Sequence, residues 1–549
     1  MGTTVMEVNY YDSNHLPVVA HFCNRLKIEK IANQILPWDS SQWQLSPGTV
    51  IKAFIVDALN ERTPLYRMNE FFSSVDIESL LGPGVKAEQL NDDRLGRTLD
   101  CIFKYGPAQL FTTIALSALK EFDVELESLH SDTTSKSVFG KYEQQNPKSV
   151  LICKGHSKDK RPDLKQFLFG LVTTREKIPV CGTVSNGNTQ DKVWNNQLLK
   201  TIKDKLRRTD FSNITYTADS AVVCEMNLIE IAQLFIDLIS RLPENFALCH
   251  QLMERSFDDS GWESIGRLSA RTDSANYKLK SYQEMLYGRL YRFIVVYSDK
   301  HNRRKLKILE RKVQAEQERL LKLNRKPAIF HCEKDAQVSL ENVQKSIKFW
   351  NVSGQIQSVA IKKKTNKRGR RPRNEPVEYD TFYQIVYQMT ENQNQIEKEK
   401  QKAGMFVLIT THLERFSDKE ILVEYKEQSS VENCFKFLKS PMITEQVFLK
   451  NNSRIEALGY LMLIALMVWT LIERQLRQNI TTPLIGPGKI SMEKPTAWAI
   501  MMMLNSIKIK INPKPVGCER SLLRPLSENE LLCLYFLGIT VKKYLFVGS

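Results

Sequence analysis

VELESLHSD (124–132), SKSVFG (135–140), QFLFGLVTT (166–174) and IPVCGTVSNGN (178–188) are β-rich runs, three of which follow in succession with no helical pattern between them. Strands joined by such short connections pair antiparallel through hairpins, because a parallel crossover needs a longer connection. LLKTIKDKLR (198–207) then reads as a helix and NITYTADSAV (213–222) as a further strand. The order strand, strand, strand, helix, strand is an α/β pattern. In this reading Asp132 closes one strand and Asp219 closes another, so both carboxylates can project past the same sheet edge.

Working outward, residues 1–122 read as a helical N-terminal domain. VIKAFIVDAL (50–59), LYRMNEFF (65–72) and LFTTIALSALKEF (110–122) carry helical apolar spacing, broken by Gly82-Pro83-Gly84 and Gly106-Pro107. After Asp219, helical stretches are expected through about residue 290, then the apolar run YRFIVVYS (291–298). Leu306, Leu309, Val313, Leu320 and Leu323 recur at steps of three and four in a charged helix, with Glu316 in one seam position. SLENVQKSIKF (339–349) is amphipathic and can pack back on that arm. The basic, Pro/Gly-interrupted segment 361–376 reads as a loop. MFVLITT (405–411) is a strand, and one helix is expected from Asp418, through Ile421, Leu422, Tyr425, Val431, Cys434, Phe435 and Leu438, to its close at Pro441. The expected division is 1–122, 123–222, 223–402, 403–480 and 481–549.

A length of 549 residues exceeds the roughly 250–300 at which single cores stop growing, so several domains are expected. The formal charge of +16 favours a polyanionic partner, because each phosphate contact releases counterions. The start MGTTVMEVNYYDSNHLP lacks a basic region followed by an apolar core, which points away from secretion. Ten scattered cysteines without a C-x-x-C pair suggest neither a zinc module nor a disulfide framework. Ala457–Ile472 is an apolar run of 16 residues, short of the roughly 17–25 that span a bilayer, and reads as a helix buried in the core.

Taken singly, an aspartate after a strand ordinarily caps a turn or helix. The surrounding words change that reading. LHSDTTSKSVFGKY (129–142), GHSKDKRPDLKQFLFGL (155–171), IPVCGTVSNGNTQD (178–191) and YTADSAV (216–222) resemble, in order, the catalytic domain of insertion-sequence transposases of the DDE class. YKEQSSVENCFKFLK (425–439) places Tyr425, Gln428, Glu432 and Lys439 at gaps of 3, 4 and 7. That spacing is similar to the signature Tyr-x2-Arg-x3-Glu-x6-Lys of one transposase subgroup, with Gln428 where the subgroup has Arg. Steps of 3, 4 and 7 also put four side chains on one helical face.

The resemblance implies a ribonuclease-H-like catalytic core, with the helical N-terminal domain before it and a large, mainly helical insertion between Asp219 and Glu432. It implies that Asp132, Asp219 and Glu432 are catalytic and hold Mg²⁺, with Mn²⁺ as a substitute, for cleavage and strand transfer at the ends of an insertion sequence. Two divalent ions between carboxylates can activate the attacking oxygen and stabilise the leaving one. Tyr425, Gln428 and Lys439 would contact DNA. Arg368, Arg370, Arg371 and Arg373, in KRGRRPR (367–373), resemble a minor-groove hook and are further DNA-contact candidates. The implied partners are double-stranded DNA with terminal inverted repeats, a target DNA, and a second copy of the chain in the DNA complex, with no membrane. The implied location is the prokaryotic cytoplasm, at the nucleoid. Alternatives are a transposase-derived regulator that binds without cutting, and an endonuclease without strand transfer.

Overall fold

The computed structural model describes residues 8–60, 63–205, 214–269, 271, 273–363, 376–440, 449–486, 488, 490–514 and 517–547. Two compact units are present: Met1–Ser240 with Val423–Ser549, and Arg241–Leu422.

The first unit opens with strand β1 (Asn9–Asp12) and a helical head: α1 (Leu16–Arg25), α2 (Ile28–Ile35), α3 (Pro47–Ala58), α4 (Met68–Ser73), α5 (Ile77–Leu81), α6 (Asp92–Tyr105) and α7 (Pro107–Glu121). Local chemistry sets these boundaries. Ser46 accepts the Thr49 amide ahead of Pro47, Asn91 accepts the Arg94 amide, and Gly106, at positive φ, separates α6 from α7.

Next come β2 (Ser128–Val138), β3 (Lys165–Thr174), β4 (Pro179–Asn186), α8 (Asp191–Lys205), β5 (Thr215–Ala218), α9 (Glu225–Leu234) and β6 (Asp237–Arg241). In space the strands run β4-β3-β2-β5-β6. β2, β3 and β4 are antiparallel neighbours, whereas β5 runs parallel to both β2 and β6, giving a mixed sheet. The runs VELESLHSD and SKSVFG are not two strands: residues 128–138 form β2 alone, because pairing with β3 continues unbroken from Leu129 to Val138. Asp132 therefore lies inside a strand rather than at its end. It nevertheless stands at an edge, since the parallel pairing with β5 stops at Ser131.

The second unit holds α10 (Ala247–Asp258), β7 (Glu263–Arg267), β8 (Asn276–Leu286), β9 (Arg289–Ser298), α11 (Asp299–Arg325), β10 (Ile329–Phe330), α12 (Glu333–Ser346), β11 (Trp350–Lys362), β12 (Tyr379–Glu391), α13 (Gln393–Lys402) and β13 (Met405–Thr410). The expectation of a mainly helical insertion is corrected here. β8 and β9 form a hairpin whose two-residue turn, Tyr287 and Gly288, has positive φ at both positions, as tight right-twisted hairpins require. β11 and β12 form a longer ladder, from Trp350 opposite Glu391 to Lys362 opposite Tyr379. Burial in β11 alternates largely residue by residue, the period of a half-buried strand rather than a helix. The long charged helix does exist as α11. Its Leu309 and Leu320 share a core with Leu340 and Val343 of α12 and Ile385 and Tyr387 of β12, so a hairpin joins the two helices in that core.

The chain continues through α14 (Asp418–Lys426), α15 (Ser429–Lys439) and α16 (Asn452–Asn479). α16 is apolar all round and forms the axis of the first unit, packing on α1, α3, α6, α7, α15 and β4. It is long and apolar enough to cross a membrane, yet 89% of its most apolar window is buried inside the protein. Close approach to the sheet depends on glycine: a Cβ on Gly182 would stand 2.7 Å from Leu463, and one on Gly459 2.8 Å from Val184. Beyond α16, β14 (Leu484–Ile485), β15 (Ser491–Met492), α17 (Ala497–Leu504), β16 (Lys508–Pro513), β17 (Cys518–Leu522), α18 (Glu528–Phe536) and α19 (Val541–Leu545) complete the first unit. β16 pairs with both β1 and β17, which ties the C-terminal segment to the head.

Candidate functional site

The parallel register of β2 and β5 builds the site. His130 lies opposite Thr217 and Ser131 opposite Ala218, and the next step along each strand is Asp132 and Asp219. Asp132 accepts the Thr133 amide at 2.7 Å, and Asp219 caps the turn at Ser220–Val222 by accepting the Ala221 amide at 3.2 Å. The Ser240 hydroxyl of β6 donates to the Asp219 carbonyl at 2.9 Å, fixing that strand end.

A third carboxylate joins them from α8. The Ser131 hydroxyl donates to Tyr216, and the Tyr216 hydroxyl donates to Asn195, so α8 is held against β2 and β5. At the start of that helix Asp191 accepts the Thr133 hydroxyl at 2.6 Å. Lys158, from the connection between β2 and β3, reaches into the same cluster, 3.5 Å from Asp132 and 3.3 Å from Asp191.

Electrostatics confirm the crowding. Burial, opposed by Lys158 and the Thr133 amide, leaves the Asp132 carboxyl above its ordinary value, with Asp191 adding to the rise. Burial raises Asp219 to about 6, and the neighbouring charges of Asp132 and Asp191 push in the same direction against Lys158. Carboxylates that raise one another are a charge deficit that a cation can relieve. Among the described residues, no three His, Cys, Asp or Glu side chains stand close enough together to hold a metal ion.

The helical segment after β13 behaves differently from the single helix expected over 418–440. It breaks between Lys426 and Ser429, where Val431 closes back on Gln428 three residues earlier. Tyr425 and Gln428 therefore precede α15, while Glu432 and Lys439 lie on it, and the four do not share one uninterrupted helix. Gln428 donates from its side-chain amide to the Ser131 carbonyl at 2.6 Å, pinning the start of α15 beside Asp132. Lys439 pairs with Asp159 at 2.5 Å, pinning its other end beside Lys158. Glu432 is exposed in the first turn of α15 and, among the described residues, makes no hydrogen bond or ion pair with the aspartates. Tyr425 is half-buried near the end of α14. Arg368, Arg370, Arg371 and Arg373 lie outside the described residues.

One further cluster supports this arrangement. His130 is fully buried two residues before Asp132, with Nε2 3.0 Å from the Ser128 hydroxyl and 3.1 Å from Glu424 of α14. Glu424 also accepts from Ser128, and although burial works against its ionisation, the bonds from His130 and Ser128 hold it below its ordinary value. In the sequence Lys158 stands only among the charges of GHSKDKR (155–161), which read as a DNA-approaching or solvated hairpin loop. Asp191 has a usable signal, an acidic residue opening the helix that follows three strands; Glu424 has none without the three-dimensional pairing.

No curated protein matches the chain. Among solved structures, a cryo-EM structure of the piggyBac transposase synaptic complex with hairpin DNA is similar over 89% of this chain and 79% of that one, at 8% identity and a TM-score of 0.37. Residues 8–116, which run from β1 into α7, match a family model described as a domain of unknown function, DUF4277.

Proposed function

We propose that the chain is a DNA transposase whose ribonuclease-H-like core cuts and rejoins DNA at a site formed by Asp132, Asp219 and Glu432. The observation that carries this reading is the adjacency of Asp132 and Asp219 at matching steps of two parallel strands, each with its carboxyl raised by burial and by neighbouring acids. The transposase-like words around these residues and the Tyr425–Lys439 spacing support the same assignment.

The donor set is all oxygen, which suits a hard divalent cation such as Mg²⁺, and a cationic ammonium already sits beside it. Asp132 and Asp219 would hold the metal, with Glu432 completing the set from α15. A divalent ion held there would supply Lewis-acid chemistry for phosphodiester cleavage and strand transfer.

The chain's own residues do the rest. Gln428 holds the start of α15 to β2, and Glu432 follows four residues later on that helix. That contact gives the glutamine in the arginine position a positioning role of its own. Lys439, released from Asp159, and Tyr425 would bind phosphate, Lys as a point charge and Tyr as a donor. Arg368, Arg370, Arg371 and Arg373 would contact the DNA minor groove. The net charge of +16 supports a duplex partner bearing the element's ends, and joining two ends calls for a second copy of the chain.

The test is cleavage of a duplex carrying the DNA that borders the coding sequence, with Mg²⁺ or Mn²⁺ present. Cutting by the wild-type chain and loss of cutting in a folded Asp132→Asn variant are expected; undiminished cutting by that variant sinks the assignment.

A further inference from the structure

Lys158 is tied down at both ends. Its backbone amide donates to the buried Ser135 hydroxyl at 2.9 Å, and the next residue, Asp159, pairs with Lys439 of α15. Its ammonium donates to the Thr133 carbonyl at 2.8 Å and the Thr133 hydroxyl at 2.7 Å, and it faces Asp132 at 3.5 Å and Asp191 at 3.3 Å. Two of the ammonium's three protons go to Thr133, and the remaining one faces the two carboxylates. The Thr133 hydroxyl in turn donates to Asp191. Ammonium, threonine and two aspartates thus close a ring over the edge where Asp132 and Asp219 meet. Counting Asp219 beside the ring, three carboxylates face one ammonium, and that ammonium is the cluster's only cation among the described residues.

We propose that Lys158 is the resident cation of this carboxylate cluster, held by Asp191, and that a divalent metal entering at Asp132 must displace its ammonium. The inference rests on the metal-binding reading of the site. Lys158 and a metal ion would compete for the Asp132 carboxylate, so the lysine weakens metal binding in the DNA-free protein and limits it to states in which the ammonium has another anion to meet. A DNA phosphate supplies that anion: with its backbone anchored at Ser135, the displaced side chain stays at the mouth of the cluster. Asp191 then serves as a positioning residue, holding the ammonium ready in one state and released from it in the other.

The experiment measures Mn²⁺ binding to the full-length, DNA-free protein from the electron paramagnetic resonance of free Mn²⁺, comparing wild type with Lys158→Met, Lys160→Met and Asp132→Asn. Lys158→Met should bind Mn²⁺ about five- to tenfold more tightly, the size expected of one partly exposed unit charge at this separation. Lys160→Met, two residues on and exposed, should match wild type. Equal or weaker Mn²⁺ binding by Lys158→Met, alongside loss of binding in Asp132→Asn, overturns the resident-cation inference and leaves the metal reading standing. Mn²⁺ binding unaffected by Asp132→Asn, or absent from all four proteins, removes the metal reading and the inference with it. A second measurement needs no variant: acetylation of Lys158 in the wild-type protein, followed by mass spectrometry, should accelerate when Mn²⁺ is added. An unchanged acetylation rate at saturating Mn²⁺ contradicts displacement.

Discussion

Replacing Asp219 with Asn should stabilise the metal-free protein above about pH 6, even though it removes a candidate catalytic group. Burial and the Asp132 and Asp191 charges raise the Asp219 carboxyl from 3.8 to about 6. The folded chain therefore holds this proton more tightly than the unfolded chain. Below about pH 4 both states are protonated and the group contributes nothing either way; from there to about pH 6 the unfolded chain ionises first, so stability falls as pH rises. The gap of 6 minus 3.8 is about two pH units, and at about 1.4 kcal/mol each the gross penalty is about 3 kcal/mol. Partial exposure of Asp219 to solvent reduces this to about 1–2 kcal/mol. Asparagine keeps the oxygen that accepts the Ala221 amide, so the cap survives while the charge goes. Urea unfolding in a chelator, at pH 4.5 and pH 8, reads the difference. The variant's advantage should be largest at pH 8 and shrink toward pH 4. A variant less stable than wild type at pH 8, or a difference independent of pH, refutes the reasoning.

Glu424→Gln perturbs the opposite kind of group. Its ionisation is favoured in the folded chain by His130 and Ser128, so its contribution is present above the ordinary glutamate value of 4.5 and lost as pH falls below it. The variant should lose about 1–3 kcal/mol at pH 7 by chemical denaturation and recover toward wild type in acid. Asp76 of the head and Arg520 of β17 form a buried, two-bond ion pair, 8% and 9% exposed. Asp76→Asn should cost about 2–4 kcal/mol by leaving the buried guanidinium with only the more distant Glu78, 3.7 Å away, and adding Arg520→Met should restore part of the loss in thermal melts.

The pattern of the core was readable because strand runs are short, apolar and bounded by turn residues. The resulting order of β2, β3, β4, α8 and β5 carries Asp132 and Asp219 to one edge. Boundaries were less legible: nothing in SDTTSKS shows that pairing with β3 carries the strand past Asp132 to Val138. In the second unit the helical reading through about residue 290 fails, because Asn276–Leu286 pairs antiparallel with Arg289–Ser298 around a turn at Tyr287 and Gly288 whose positive φ local spacing does not reveal. The break before Ser429 is equally hidden, since Tyr425, Gln428, Glu432 and Lys439 keep helical spacing across it. Lys158 and Asp191 are separated by 33 residues (191 minus 158), and their meeting over Thr133 depends on long-range packing that no local spacing encodes.

The central claim is that Asp132, Asp219 and Glu432 act together on DNA. It is tested most directly by incubating the full-length protein with Mg²⁺ and end-labelled duplexes bearing the element's borders, then mapping every broken and joined strand. Cleavage at one fixed position per end, 3′-hydroxyl ends joined to target DNA, and loss of both products in Asp132→Asn, Asp219→Asn and Glu432→Gln are expected. Cutting that persists in any one of these folded variants, or none from the wild-type chain, contradicts the account.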